Sequence, residues 1–310
     1  MENLEFKDKF KERFAKLTDW EEFVKYSSKF LRRSIRVNTL KISVKELKKR
    51  IEDKWHLEPV KWCKEGFFIE HRGQGADYRR DIGNLNEHSL GYIFIQEASS
   101  MIPPRVLLPE PGDIIFDMCA SPGSKTTQIA QYMNNEGLLV ANDYKFERNK
   151  ALGLNLQRSG VLNTVMTLKD ARKFSGFSFD KILIDAPCSG TGTIRKSPKT
   201  MKIWNPNMIK RLAKTQRELI ENAFNNLRKG GVLVYSTCSI EPEENESVVS
   251  YLLDKYENAT TEQIEIDINK SSPVDEFENA RFNEGVRNCL RIWPQDNDTD
   301  GFFVCRIRKL

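Results

Sequence analysis

The chain has 310 residues, 39% of them hydrophobic, with 49 Lys+Arg against 44 Asp+Glu and a net charge of +5. That is enough for one large packed domain with a smaller companion. No apolar run approaches the roughly 20 residues of a membrane helix, and the opening Met1-Glu-Asn-Leu-Glu-Phe-Lys-Asp-Lys9 carries no apolar targeting region, so a cytoplasmic protein with no membrane partner is expected.

The six cysteines (63, 119, 188, 238, 289, 305) include no Cys-x-x-Cys pair and lie mostly away from His56, His71 and His88, which argues against a metal site. Without a secretion signal a disulfide framework is also disfavoured; Cys63, Cys289 and Cys305 sit in apolar or mixed runs and read as packing residues. The charge is uneven. Residues 1–80 hold 21 Lys+Arg against 14 Asp+Glu, and the remainder is slightly acidic. Such asymmetry suits a nucleic-acid-facing part, although a solvated surface gives the same count.

In chain order, residues 3–17 put Phe6, Phe10, Phe14 and Leu17 on one helical face, and Thr18 with Glu21 has capping-box spacing for a second helix. A strand at Ser34–Leu40, a helix at 43–54 opened by Ser43 and Glu46, and strands at Val60–Trp62 and Gly66–Ile69 make a small α+β module. It carries Arg32, Arg33, Arg36, Lys41, Lys48, Lys49 and Arg50. Its aromatics Trp62, Phe67 and Phe68 either stack bases or form the module's own core. Residues 71–95, with Gly73, Gly75, Arg79 and Arg80, read as a join; the division expected is 1–90 and 91–310.

Beyond it, strands and helices alternate. Strands are expected at 114–116, 137–141, 164–168, 181–184 and 232–235, and helices at 126–133, 146–158, 207–227 and 243–256. Two late strands follow, around Ile264 and at Phe302–Ile307. Near-continuous apolar strands with helical connections predict an α/β, doubly wound, mostly parallel sheet. In such sheets ligands bind beyond the carboxyl ends of the strands.

Those ends carry the polar residues. The first strand runs into Asp117-Met-Cys-Ala-Ser-Pro-Gly-Ser-Lys-Thr126 and then a helix, a turn suited to a nucleotide or carboxylate. Neither a Walker loop nor the dinucleotide glycine fingerprint is present, which disfavours a nicotinamide enzyme. Asp143 ends the second strand, where a carboxylate can hold ribose hydroxyls, and Asp170 follows the third. Asp185 and Cys188 follow the apolar run 181–184, and Cys238 follows 232–235. Two thiols at two strand ends suggest one site. The segment 191–214 carries Arg195, Lys196, Lys199, Lys202, Lys210, Arg211 and Lys214, either a solvated face or phosphate contacts.

The stretches 117–126, Asp185-Ala-Pro-Cys-Ser-Gly190 and Ser236-Thr-Cys-Ser-Ile240 resemble the signature motifs of the NOL1/NOP2/Sun family of RNA cytosine-5 methyltransferases. Arg36-Val-Asn-Thr-Leu-Lys41 resembles its N-terminal motif, and Gly301-Phe-Phe-Val304 its last strand. The resemblance implies a Rossmann-like class I methyltransferase domain, an N-terminal RNA-binding module, S-adenosyl-L-methionine as cofactor and RNA as substrate. The Pro-Gly-Ser-Lys-Thr form of the loop resembles the tRNA-modifying branch, so tRNA is favoured over rRNA, and a monomer is expected. It implies Cys238 as nucleophile, Cys188 as the group assisting proton removal and release, Asp185 at the cytosine edge, and Lys125 beside the base. Cys119, Ala120, Ser121, Pro122, Gly123, Ser124, Lys125, Asp143, Arg148, Asp170 and Asp185 would line the cofactor. Position along the chain alone does not separate Cys238 from Cys188. A binding protein of the same fold without catalysis is the other class of function; the intact cysteines and Asp185 argue against it.

Overall fold

The computed structural model describes residues 5–75 and 78–310. They fall into two compact units, one of Arg32–Leu183 and one joining the chain up to Leu31 with Ile184–Leu310.

In the Arg32–Leu183 unit, β1 (Ser34–Val37), β2 (Trp55–Pro59), β3 (Gly66–His71) and β4 (Ile93–Ile95) form an antiparallel sheet in the order β2-β3-β1-β4. Helix α3 (Val44–Ile51) opens on the expected Ser43/Glu46 capping box and buries Leu47 and Ile51 against Ile35, Val37, Trp55, Phe67 and Ile69. Trp62, Phe67 and Phe68 are all buried, and the Trp62 indole donates to Ala98 O at 2.8 Å, so they are core residues rather than a stacking surface. Two expectations shift. Val60–Trp62 is a turn, the strand being Trp55–Pro59, and Ile93–Ile95, read as part of a join, pairs with β1.

The same unit holds α4 (Asn86–Ser89), α5 (Ile102–Leu107), β5 (Ile114–Asp117), α6 (Ser124–Tyr132), β6 (Leu138–Asn142), α7 (Phe146–Ser159), β7 (Thr164–Thr167) and most of β8 (Phe179–Asp185). β8, β5, β6 and β7 run parallel, with fully buried Ile115, Phe116, Leu139, Ile182 and Leu183 supplying the apolar strands.

In the other unit, α1 (Asp8–Phe14) and α2 (Trp20–Ser27) bury Phe10, Phe14 and Phe23 against Ile194, Met201, Trp204, Ile240 and Trp293. Of the expected helix, residues 3 and 4 lie outside the described residues. Asp19, not Thr18, caps α2, accepting from the amides of Glu21 and Glu22; Thr18 Oγ1 accepts from Gln295 instead. Then come α8 (Lys199–Ile203), α9 (Pro206–Asn225), β9 (Leu227–Thr237), α10 (Glu246–Lys255), β10 (Ala259–Glu262), the hairpin of β11 (Glu276–Phe277) and β12 (Ala280–Arg281), β13 (Leu290–Ile292), α11 (Pro294–Asn297) and β14 (Phe302–Lys309). β14 lies antiparallel to β9, β10 and β13. The larger sheet has the strand order β10-β14-β9-β8-β5-β6-β7 and is mixed, mostly parallel, as expected. Among the described residues no helix is long and apolar enough to cross a membrane.

The Arg36–Lys41 stretch is spent on the interior and on joining elements. Arg36, fully buried, donates to Ser124 O (3.2 Å) and Thr127 Oγ1 (2.8 Å) at the start of α6. Burial lowers its guanidinium to about 10, so it stays protonated at neutral pH. Asn38 Nδ2 donates to Gly91 O and Ser159 O, both at 2.8 Å, and Lys41 Nζ to Leu90 O and Arg158 O. Asn38→Ala leaves two buried carbonyls unpaired. The expected loss is about 1–3 kcal/mol of stability, read as a lower urea midpoint.

Candidate active site

In the Arg32–Leu183 unit, three consecutive strand ends meet around one asparagine that sequence reasoning passed over. Asn142 Nδ2 donates to Met118 O (3.1 Å) after β5 and Lys169 O (3.0 Å) after β7, and its Oδ1 accepts from Thr167 Oγ1 and Lys169 N. Its amide is fully used, which fixes the spacing of the loops that carry Cys119, Asp143 and Asp170.

The loop after β5 turns at Gly123, whose φ of +105° suits glycine. α6 starts there with no side-chain cap from its cap residue, an arrangement suited to an anionic group. Asp117, buried, accepts from Thr126 Oγ1 at 2.7 Å. Ser121, Asp143 and Arg148 come together. The Ser121 hydroxyl donates to Arg148 O (2.7 Å), Arg148 Nη2 donates to Ser121 O (2.7 Å), and Arg148 Nε lies 3.3 Å from Asp143 Oδ2. Asp143 is buried and also accepts from Lys145 N at 3.0 Å. Ala120 and Lys125 are buried, and Cys119 and Ser124 half-buried. Asp170 is turned toward Arg172, whose side-chain hydrogen bonds hold its carboxyl below the usual range.

In the other unit, Asp185 ends β8, and its Oδ1 accepts from Ser236 Oγ at 3.1 Å. Ala186 N donates to Ser236 O at 2.9 Å. Cys188 and Cys238 follow β8 and β9, and their sulfurs lie 3.0 Å apart. The hydrogen bond to Cys238, then burial and nearby negative charge, push the Cys188 thiol well above its ordinary range. Two thiolates at this distance would repel each other.

The thiol-bearing segments are stitched together. Gly192 N donates to Cys238 O (3.0 Å), Ile240 N to Thr191 Oγ1 (3.1 Å), and the Ser189 and Ser239 hydroxyls lie 3.1 Å apart. Three buried carboxylates, also unread in the sequence, hold the segment after Cys238. Glu241 accepts from Trp204 Nε1 (2.7 Å) and Arg13 Nε (2.9 Å). Glu244 accepts from Ser189, Ser239 and Gln216. Glu246 accepts from Arg291 Nε at 2.7 Å. Burial drives the Glu241 carboxyl up to about 8, with Arg13 opposing.

The basic segment 191–214 divides. Arg195 is buried and donates to Thr299 O, Phe30 O and the Asp298 carboxylate, so it is a structural residue and not a phosphate contact. Lys196, Lys199, Lys202, Lys210, Arg211 and Lys214 are exposed. Among the described residues no group of three or more His, Cys, Asp or Glu side chains is placed to hold a metal ion.

Two outcomes follow from this geometry. A Cβ on residue 192 would stand 2.2 Å from Gly301 O and 2.8 Å from Cys238 O; Gly192→Ala is expected to cost about 1–3 kcal/mol or more in a thermal melt, since backbone atoms must move apart. Glu241 binds its proton more tightly folded than unfolded. Its contribution to stability therefore declines as pH rises from the ordinary carboxyl range to about 8, by up to about 1.4 kcal/mol per pH unit. Melting Glu241→Gln beside the parent chain across that window should show a shallower decline in the variant.

Residues 104–308 match the family described as 16S rRNA methyltransferase RsmB/F, and residues 3–98 match the N-terminal domain of 16S rRNA methyltransferase RsmF. The chain is 47% identical to the tRNA (cytosine(49)-C(5))-methyltransferase of Pyrococcus abyssi, over 99% of both chains. It is 46% identical to the ribosomal RNA small subunit methyltransferase F of Shewanella piezotolerans, over 94% of this chain but 60% of that relative. Among solved structures, a methyltransferase homolog from Pyrococcus horikoshii matches with a TM-score of 0.86 at 37% identity, covering 99% of this chain and 96% of that one. NSun6 from Pyrococcus horikoshii, crystallised with SFG, matches with a TM-score of 0.83 at 26% identity, covering 100% and 98%. The expected kinship holds, and the chain belongs to the RsmB/F (NOL1/NOP2/Sun) family of S-adenosylmethionine-dependent RNA cytosine-5 methyltransferases.

Proposed function

We propose that the chain methylates C5 of a cytosine in tRNA, with Cys238 as the nucleophile. The observation that carries the chemistry is the 3.0 Å pairing of Cys188 and Cys238. C5 of cytosine is a poor nucleophile until a thiolate adds to C6. The Cys238 thiolate forms a bond to C6, and the electron pair released at C5 can then take a methyl group. The C5 proton must afterwards leave to a base, which re-forms the ring double bond and expels the Cys238 sulfur. Cys188, at hydrogen-bond distance from that sulfur, assists proton removal and release. Asp185, oriented by Ser236 Oγ, serves the cytosine edge, where charge develops during addition. Lys125 supplies a charged contact beside the base.

The uncapped start of α6 at Gly123 and the buried Asp143 carboxylate, braced by Arg148 and Ser121, fit S-adenosylmethionine. Cys119–Lys125, Asp143, Arg148, Asp170 and Asp185 would hold it. When bound, it supplies an electrophilic methyl group on sulfur.

The preference for tRNA rests on the match to the Pyrococcus abyssi enzyme over 99% of both chains, and cytosine 49 is the first position to map. A second reading, rRNA, is favoured by the description of the matching family and by the ribosomal relatives. The six free cysteines fit a reducing compartment such as the cytoplasm; the working assembly in this proposal is a monomer.

The test is transfer of labelled methyl to unmodified tRNA transcript, with the product nucleoside identified. The parent chain should yield 5-methylcytosine and Cys238→Ala none. Cys188→Ala should accumulate a denaturation-resistant protein–RNA adduct. An adduct that survives Cys238→Ala would overturn the nucleophile. Activity on 16S rRNA fragments with tRNA inert would replace the substrate.

A further inference from the structure

We infer that Glu244 is a positioning residue for methyl transfer, whose carboxylate fixes the Cys188 segment against the Cys238 segment and thereby sets the spacing of the two sulfurs. This rests on the two-thiol chemistry proposed above and adds to it a residue outside the sulfur pair.

The geometry is specific to both segments. Glu244 Oε1 accepts from Ser189 N at 3.0 Å and from Gln216 Nε2 at 2.9 Å. Oε2 accepts from Ser239 Oγ at 2.6 Å and from Ser189 Oγ. Ser189 and Ser239 directly follow Cys188 and Cys238. Gln216 Nε2 also donates to Pro187 O at 2.9 Å, so the residues on both sides of Cys188 are tied to this group. Glu244 itself is fully buried, and Tyr235 OH donates to its main-chain oxygen at 2.6 Å from within β9. Of the three buried carboxylates after Cys238, Glu241 and Glu246 reach α1, Trp204 and Arg291. Glu244 spans the two cysteine segments.

The hydrogen-bond inventory separates position from charge. The donors at Oε1 are an amide N–H and a side-chain NH2, which can only donate. The partners at Oε2 are hydroxyls, which can rotate to accept. A glutamine with its oxygen at the Oε1 place and its NH2 at the Oε2 place keeps every contact, whereas alanine keeps none.

The experiment follows alkylation of Cys188 and Cys238 by iodoacetamide from neutral to alkaline pH, each thiol quantified by peptide mass spectrometry in the full chain without RNA. In the parent chain and Glu244→Gln, the two thiols should react with well-separated pH profiles, because two neighbouring thiolates repel. In Glu244→Ala the segments part and the profiles should converge. On unmodified tRNA transcript, Glu244→Ala should also raise the ratio of covalent adduct to released 5-methylcytosine by about tenfold, while Glu244→Gln stays within about twofold of the parent. Parent-like profiles in Glu244→Ala would overturn the inference, as would a Glu244→Gln chain that behaves like Glu244→Ala. Should Glu244→Ala fail to fold, Ser239→Ala, which removes one of the four hydrogen bonds to the Glu244 carboxylate, must shift both readings in the same direction by less; parent-like readings there overturn it too. Alkylation needs no RNA, so it answers independently of the substrate. Cys238→Ala, run alongside, judges the nucleophile.

Discussion

Three carboxylates within six residues, at 241, 244 and 246, have no exposed surface. A carboxylate taken from water costs several kcal/mol unless donors replace its hydration. Here each has its own donors: Arg13 and Trp204 for the first, Ser189, Ser239 and Gln216 for the second, Arg291 and Val274 N for the third. A path that lost these donors would leave at least one buried carboxyl group unpaired. The backbone that leaves Cys238 is therefore fixed from three directions, and Arg291 adds a fourth hold by donating to Ile240 O at 3.0 Å. Such an arrangement contributes less to net stability than to uniqueness, because an apolar segment of equal volume would fold at lower cost but without a single required geometry.

The Arg32–Leu183 unit reaches a similar end with mainly neutral groups. Asn38 and Asn142 each tie together backbone from separate elements, and each lies almost fully out of solvent. An asparagine that uses both its amide hydrogens and its oxygen cannot be displaced without orphaning several partners. Arg36 extends the same logic to the start of α6, where its guanidinium meets the Ser124 carbonyl. The basic surplus of the first 80 residues thus overstates the charge available to RNA: Arg36 is interior, and Arg32 pairs with Glu58 and lies over Phe68 at 3.8 Å.

How far the sequence disclosed this depends on the range of each interaction. Apolar strands declare themselves through their own residues, and so did β5, β6, β8 and β14. The Ser43/Glu46 box is likewise local, both partners lying within one turn. Where two neighbours compete for a local role, residue pattern does not decide, as Asp19 displaced Thr18. The turn at Val60–Trp62 has strand-like composition but is governed by Gly66, whose amide and carbonyl bond Cys63 O and Val60 N. Long-range partners were the real obstacle. Glu-Pro-Glu-Glu-Asn-Glu, residues 241–246, has the composition of a solvated turn. It becomes an interior segment only through donors such as Ser189 and Gln216, 55 and 28 residues from Glu244. The loop after β5 stood out in the sequence as a pattern, but the brace between Arg148 and Ser121 did not.

The same distinction bears on the sulfurs. A motif can bring two cysteines to two strand ends, yet addition and release ask opposite things of a thiol. Addition needs a thiolate with its electron pair free, whereas release needs a neighbour that can take part in proton movement without itself attacking C6. Equal, independent thiols would compete for the base. At 3.0 Å they cannot be independent, because ionising one raises the cost of ionising the other. The surroundings then break the tie: the hydrogen bond with Cys238 and burial press Cys188 toward its protonated form. In the two-cysteine chemistry proposed above, the difference between two chemically identical groups would then arise from their spacing and from the buried segments that hold it.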